Sequence, residues 1–367
     1  MGCCEATNPD LAGAVVDPAG LPVEGSVLDA RCDRRSAVKG LLVAAGGLAL
    51  ASCASSPPQE GETRVRLAFC GQLLCVVPYE VTRAQGHFAA EGLDVELVYT
   101  RGGNAAMQAL VGGSVDYAGT SFDVALQAVA NGAAIRRFAS TGRLPLFALA
   151  VAPGRRSQIA DVRALEGTTV AVSALGNADH ALLLFLLERA GLDASRVRVA
   201  AIGTNVFDAL RIGQVDAAMV QEPALSLVVS AGGRELVNFM DLDEATRHLG
   251  GAYEFMGVAV RAEERDARLA EMRRLSAALA RGLLDTRSLP PGRIVASLPA
   301  ALVAGSDVPE LERIIERHRR SLYPEQVTLE PEAAARVLRA QEVAGLLEPG
   351  RVDLAALLDT AVLQGRS

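Results

Sequence analysis

Ala109-Leu110-Val111-Gly112-Gly113-Ser114-Val115-Asp116-Tyr117-Ala118 and Ala209-Leu210-Arg211-Ile212-Gly213-Gln214-Val215-Asp216-Ala217-Ala218 share the pattern A-L-x-x-G-x-V-D-x-A, one hundred positions apart. At the same offset Gly103 and Gly132 recur as Gly203 and Gly232. Upstream of each copy stands an apolar, strand-like run, Val65–Phe69 and Thr169–Ser173, followed by a loop and a helix that stops at Gly92-Leu93-Asp94 or Gly191-Leu192-Asp193, where glycine suits the left-handed C-cap. A second strand follows in each half, Val95–Tyr99 or Val197–Ala201, then a glycine-bearing turn, a second helix carrying the Ala-Leu pair, and a short third strand around Val115 or Val215. The order β-α-β-α-β, written twice, predicts an α/β protein of two lobes, each a doubly wound, mostly parallel sheet with helices on both faces. In the repeat, glycine permits the tight reversal, and Asp116 and Asp216 satisfy turn amides. The repeat is therefore scaffold, and function is expected at the carboxyl ends of the strands, where open α/β sheets hold ligands.

Composition supports a large globular α/β chain. Of 367 residues half are apolar, 35 are glycine and the formal charge is −7, which is too hydrophobic for disorder and offers no basic face to a phosphate backbone. Nucleic acid is excluded as a partner on that ground. The one lysine is Lys39, so no side chain beyond it can form a Schiff base.

Residues 1–52 read as a signal peptide. Arg34-Arg35-Ser36-Ala37-Val38-Lys39 is similar to a twin-arginine pattern, and the uncharged run from Gly40 to Ser52 is too short to span a bilayer but suits a signal h-region. It ends in Leu50-Ala51-Ser52-Cys53, which resembles a bacterial lipobox with Cys53 as the acylated residue, and residues 53–63 read as a polar tether. On this reading Cys3, Cys4 and Cys32 leave with the signal and only Cys70 and Cys75 remain as side chains of the folded body. Lobe 1 is expected at 64–151 plus 252–367, with the charged, periodic helices after Arg261 packing on it, and lobe 2 at 152–251. Leu144–Val151 and Phe255–Val260 are expected to form a two-strand hinge.

The strand-to-helix loops present backbone N–H groups at helix starts, a favourable seat for a carboxylate, sulfonate or nitrate. They nominate Gly71, Gln72 and Leu73, then Gly102, Gly103 and Asn104, with Thr120, Ser121 and Phe122 after the third strand. In the second half they nominate Ser173, Gly176 and Asn177, then Thr204 and Asn205, and Glu222 before Pro223. Phe122, Tyr79 and Tyr253 are candidates for stacking, and Arg101 and Arg143 are the cationic candidates. His180 is read as a surface or capping residue. In an exported chain Cys70 and Cys75 read as a disulfide clamping the first loop, with a metal pair or free thiols as alternatives. No histidine has metal-ligand spacing, and no metal or other cofactor is expected.

Pro78-Tyr79-Glu80-Val81, Gly86-His87-Phe88, Glu91–Val95, Ala109–Ala118, Gly167–Val172, Gln214–Ala217 and Glu222-Pro223, in this order and spacing, resemble the solute-binding proteins of nitrate, sulfonate, taurine and thiamine-precursor ABC importers. The likeness covers residues 64–260. It implies a periplasmic-binding-protein fold of type II character, with a ligand cleft between two hinged lobes. It also implies a monomeric, non-enzymatic lipoprotein outside the cytoplasmic membrane, partnered by a permease and an ATPase. Closure around the ligand would shift the population of the hinged body. The rival is an enzyme on the same fold, a pyrimidine-precursor synthase or menaquinone-pathway lyase. Against the synthase stand the differing Cys70-Gly71-Gln72-Leu73-Leu74-Cys75 segment and the missing lysine.

Overall fold

The computed structural model describes residues 63–363 apart from Thr204. The expected signal peptide, Cys53 and all but the last residue of the tether lie outside the described residues. The first half runs β1 (Thr63–Cys70), α1 (Leu73–Ala84), α2 (His87–Ala90), β2 (Leu93–Thr100), α3 (Gly103–Val111), β3 (Tyr117–Ser121), α4 (Phe122–Ala130) and β4 (Ile135–Gly142). The second runs β5 (Ala148–Val151), β6 (Thr169–Val172), α5 (Ala178–Arg189), β7 (Arg198–Ala201), α6 (Val206–Arg211), β8 (Ala217–Val220), α7 (Ala224–Ser230), β9 (Arg234–Asn238) and α8 (Leu242–Leu249). Then come β10 (Met256–Arg261), α9 (Leu269–Ser288), α10 (Pro291–Val295), α11 (Ala300–Val303), α12 (Val308–Leu322), α13 (Pro331–Val343) and α14 (Leu354–Leu357). No described helix is long and apolar enough to cross a membrane.

The strands form two five-stranded sheets with matching orders, β2-β1-β3-β10-β4 and β7-β6-β8-β5-β9. In each sheet the first three strands are parallel, and one antiparallel strand, β10 or β5, follows the crossover from the other half. Helices cover both faces of the first sheet. Gly119 faces Tyr79 of α1, while its neighbour Thr120 lies beneath Gly103 of α3, as the two-residue alternation of a strand requires.

The duplicated decamer does the same work in both halves. Asp116 Oδ2 accepts from Arg66 N at 2.7 Å while Asp116 N donates to Arg66 O at 3.0 Å. Asp216 repeats the exchange with Thr169, at 2.8 and 2.9 Å. Each carboxylate also receives an arginine, Arg268 or Arg155, at 2.6 Å. The aspartate thus joins the entry to the third strand to the first strand, and Gly113 and Gly213, at φ 75° and 74°, supply the left-handed turn before it. The reading of the repeat as scaffold holds.

Two packing expectations differ in detail. Leu144–Val151 and Phe255–Val260 do not pair with each other, because β5 belongs to one sheet and β10 to the other. The hydrogen bonds between the crossovers lie beside them, from Tyr253 N to Arg143 O (2.9 Å), Phe255 N to Gly142 O (3.0 Å) and Phe239 N to Phe147 O (3.0 Å). The carboxyl-terminal helices were expected on the first half alone. α9 does lie on α1, where Gly282 leaves room for Thr82. However, α13 packs on both α4 and α5, and α12 reaches the second half through Arg317 to Glu235 (2.9 Å) and Ser321 Oγ to Met240 O (2.7 Å). α12 buries one stripe, Leu311, Ile314, Ile315 and Leu322, and reaches the second half through those polar side chains beside it.

Candidate functional site

Every parallel strand ends at a helix start, so the carboxyl edges of the two sheets gather the predicted loops. One hydrogen bond joins them directly. Asn104 Nδ2, at the start of α3, donates to Asn177 Oδ1, the residue capping α5, at 3.2 Å. Asn177 Nδ2 in turn donates to Ser173 Oγ at 3.1 Å, and the backbone N and Oγ of Ser173 both donate to Asp179. Burial raises the Asp179 carboxyl above its ordinary value, opposed by those Ser173 bonds. Gly176 N donates to His180 Nδ1 at 3.0 Å, which makes His180 a loop-capping acceptor, and burial lowers its pKa.

In the first half, Gly71 and Gln72 stand before α1, with Gln72 exposed and Leu73 buried. Gly102, at φ 131°, precedes α3, a conformation open to glycine. Its neighbour Gly103 has no such need of positive φ but approaches Val124 closely, at 3.2 Å from where its Cβ would stand. Ser121 caps α4 by accepting from Val124 N at 3.4 Å. Thr120 is fully buried, and its Oγ1 has no partner among the described residues. In the second half Asn205 precedes α6 and is exposed, while Thr204 lies outside the described residues.

Several nominated side chains are committed elsewhere. Phe122, Tyr79 and Tyr253 are fully buried. Phe122 lies under the Arg137 guanidinium, 5.5 Å from its ring centre, and Tyr79 stacks on Phe69 at 4.9 Å. Each follows from position, since Phe122 is the first residue of α4 and turns into the core between helix and sheet. Arg143 donates to the carbonyls of Ser321 and Arg320, both at 2.8 Å, and so closes the carboxyl end of α12 rather than facing a ligand. Arg101 is exposed. Glu222 is buried and accepts from Ser226 N (3.0 Å), Ser226 Oγ (3.1 Å) and His318 Nε2 (3.2 Å).

Cys70 and Cys75 are free, buried thiols. No disulfide joins them in this structure. Instead Cys75 donates a hydrogen bond toward Cys70, which lowers the Cys70 pKa and raises that of Cys75, burial adding to the rise. Cys75 Sγ also lies 3.9 Å from Met256 Sδ. Among the described residues no three His, Cys, Asp or Glu are grouped to hold a metal ion.

Sequence reasoning missed His318, Met256 and a buried cluster beside the crossovers. Arg137 is fully buried, and its Nη2 donates to Phe255 O at 2.9 Å while Nε and Nη1 have no partner among the described residues. Glu254 and Asp123 flank it, their carboxyls pushed up by burial to about 7 and about 6. Asp123 Oδ1 accepts from Gln341 Nε2 of α13 at 2.7 Å and from the Tyr253 hydroxyl at 3.4 Å. None of these carried a local signal, because their partners are from 96 (His318 to Glu222) to 218 positions away (Gln341 to Asp123).

The arrangement is a set of glycine- and asparagine-bearing helix starts facing one another across two sheets. It can hold a small molecule by amides and short polar groups. A protein from Bordetella bronchiseptica RB50 is similar at 25% identity and a TM-score of 0.71, over 83% of this chain and 96% of that one. The periplasmic aliphatic sulphonate binding protein SsuA from Escherichia coli is similar at 22% identity and 0.64, over 85% and 96%. The periplasmic nitrate-binding protein NrtA from Synechocystis PCC 6803 is similar at 12% identity and 0.63, over 82% and 87%. These likenesses identify the two-lobed periplasmic-binding-protein fold. No curated protein sequence matches the chain. The family model described as NMT1/THI5 like matches residues 76–290, more than half of the chain, and the protein belongs to that family.

Proposed function

We propose that the protein is the extracytoplasmic, lipid-anchored solute-binding component of an ABC importer, and that it captures a small molecule by hinged closure without altering it. The observation that carries this reading is the Asn104 to Asn177 hydrogen bond, which ties a helix start of the first sheet to one of the second. A ligand seated between those helix starts contacts both lobes only when they are shut, and so favours the closed form by its differential interaction. The ligand classes the reading takes are a nitrate-, sulfonate- or taurine-like anion and a thiamine-precursor-like heterocycle. The sulphonate and nitrate that the E. coli and Synechocystis neighbours bind favour the anion. With Arg143 occupied by α12, an anion would rest on helix-start amides, with the exposed Arg101 before α3 as the remaining cationic candidate. Against a synthase with a lysine-bound cofactor stands the single lysine at position 39.

A thermal-shift screen tests the reading. A ligand at a hundredfold excess over its Kd stabilises by about 2.7 kcal/mol. A shift with sulfonates, nitrate or taurine supports the anion class, and a shift with a neutral pyrimidine alone refutes it. Turnover of any such compound into a product refutes the transport reading itself. Replacing Cys53 by Ala should release the protein from the membrane fraction, and retention there would refute the lipid anchor.

A further inference from the structure

We propose that Cys70, Cys75 and Met256 form a binding site for one soft monovalent metal ion, cuprous copper, at the loop-bearing edge of the first sheet. The three sulfurs come from three elements: the last residue of β1, the first turn of α1 and the first residue of β10. Met256 is level with Ser121 and Gly142 in the sheet, so it lies at the same edge as Cys70. Cys75 Sγ is 3.9 Å from Met256 Sδ, and the Cys70 side chain lies within hydrogen-bonding reach of Cys75. A sulfur–metal bond of about 2.3 Å in a planar three-coordinate centre places neighbouring sulfurs about 4 Å apart. The Cys75 to Met256 spacing is that of two sulfurs on one such ion, with Cys70, the last residue of β1, as the third donor.

The donor set decides the metal. Thiolate and thioether sulfur select cuprous copper over hard cations, and a tetrahedral zinc site needs a fourth ligand. No His, Asp or Glu completes such a group among the described residues. The three side chains are 7%, 3% and 4% exposed, which shields a cuprous ion from water. Binding releases two protons to solvent, one from each thiol, and leaves one net negative charge beside the amino-terminal turn of α1, where the positive end of the helix dipole stabilises it. No oxidation or reduction is involved. A disulfide would need only the two cysteines and would leave Met256 without a part. The proposal is independent of the transport reading, since it concerns atoms on one side of the facing loops.

The experiment uses the full chain with Cys3, Cys4, Cys32 and Cys53 replaced by Ser, reduced, desalted under argon and titrated against cuprous bicinchoninate. The expected result is withdrawal of one copper per chain, lost in Cys70→Ser and in Cys75→Ser. Met256→Leu, which conserves volume and should keep the fold, is expected to retain the stoichiometry and weaken the affinity at least tenfold. Four outcomes overturn the proposal: no copper withdrawn; withdrawal unaffected by either serine variant; affinity unchanged in Met256→Leu; or thiols that stay unreactive after reduction because a disulfide persists.

Discussion

Stability should fall as pH rises from about 5 to 8, and Glu254 should be a principal cause. Its carboxyl is buried beside the crossover that carries the chain back to the first sheet. Arg137 and a Ser140 hydrogen bond favour the charged form there, and the Glu330 carboxylate opposes it. Burial outweighs these and raises its pKa from an ordinary 4.5 to about 7. A carboxyl whose folded pKa lies above its unfolded value holds more protons when folded, so its stabilisation is complete below pH 4.5 and is lost as pH rises through about 7. At about 1.4 kcal/mol per pH unit the loss is about 3 kcal/mol. Asp123, raised by burial from 3.8 to about 6, acts in the same direction at lower pH. His180 and His248, both lowered by burial, act oppositely below about pH 6.5, so the readout must isolate Glu254. Urea unfolding of the protein and of Glu254→Gln across that pH range does so. The difference between their stabilities should change by about 2.5 kcal/mol between pH 5 and 8, the rest of the loss falling below pH 5, whatever the offset from leaving Arg137 beside a neutral amide. A difference that stays flat, or that runs the other way, refutes the reasoning.

Asp116→Ala and Asp216→Ala should each destabilise by about 1–3 kcal/mol in chemical denaturation, since each leaves a strand N–H without its acceptor and removes one partner of an arginine; similar costs in the two variants would verify the equivalence of the repeats. Gly282→Ala should cost about 1–3 kcal/mol by the same assay, because the new Cβ overlaps Thr82 Oγ1 and forces α9 from α1. Once a ligand is found, a double-mutant cycle of Asn104→Ala and Asn177→Ala on its Kd should give a coupling of about 0.5–1.5 kcal/mol. Additive effects would mean that the bond is not part of closure.

Much of the architecture was legible because it depends on local order. Two runs of strand, helix, strand, helix and strand allow few arrangements, and both sheets adopt the same one. The helix starts at Gly103 and Ala178 fall where glycine and asparagine announced them. Side-chain assignments fared less well. Arg143, Phe122 and Glu222 sit in or beside the loops, yet α12, Arg137 and His318 decide what they touch. The Cys70 and Cys75 spacing allowed a disulfide, a metal pair or free thiols. The fold chose free thiols and added Met256 from 181 positions beyond Cys75.

By itself the amino-acid order determined the duplicated α/β halves, the structural duty of Asp116 and Asp216, and the strand ends at which the loops gather. These follow from periodicity, glycine conformations and turn chemistry, all short-range effects. The tertiary structure alone decided how the crossovers pair, that α12 and α13 bind both halves, and that Arg137, Glu254 and Asp123 share one buried space. Those outcomes depend on desolvation and on partners far apart in the chain, and neither leaves a periodic trace in it.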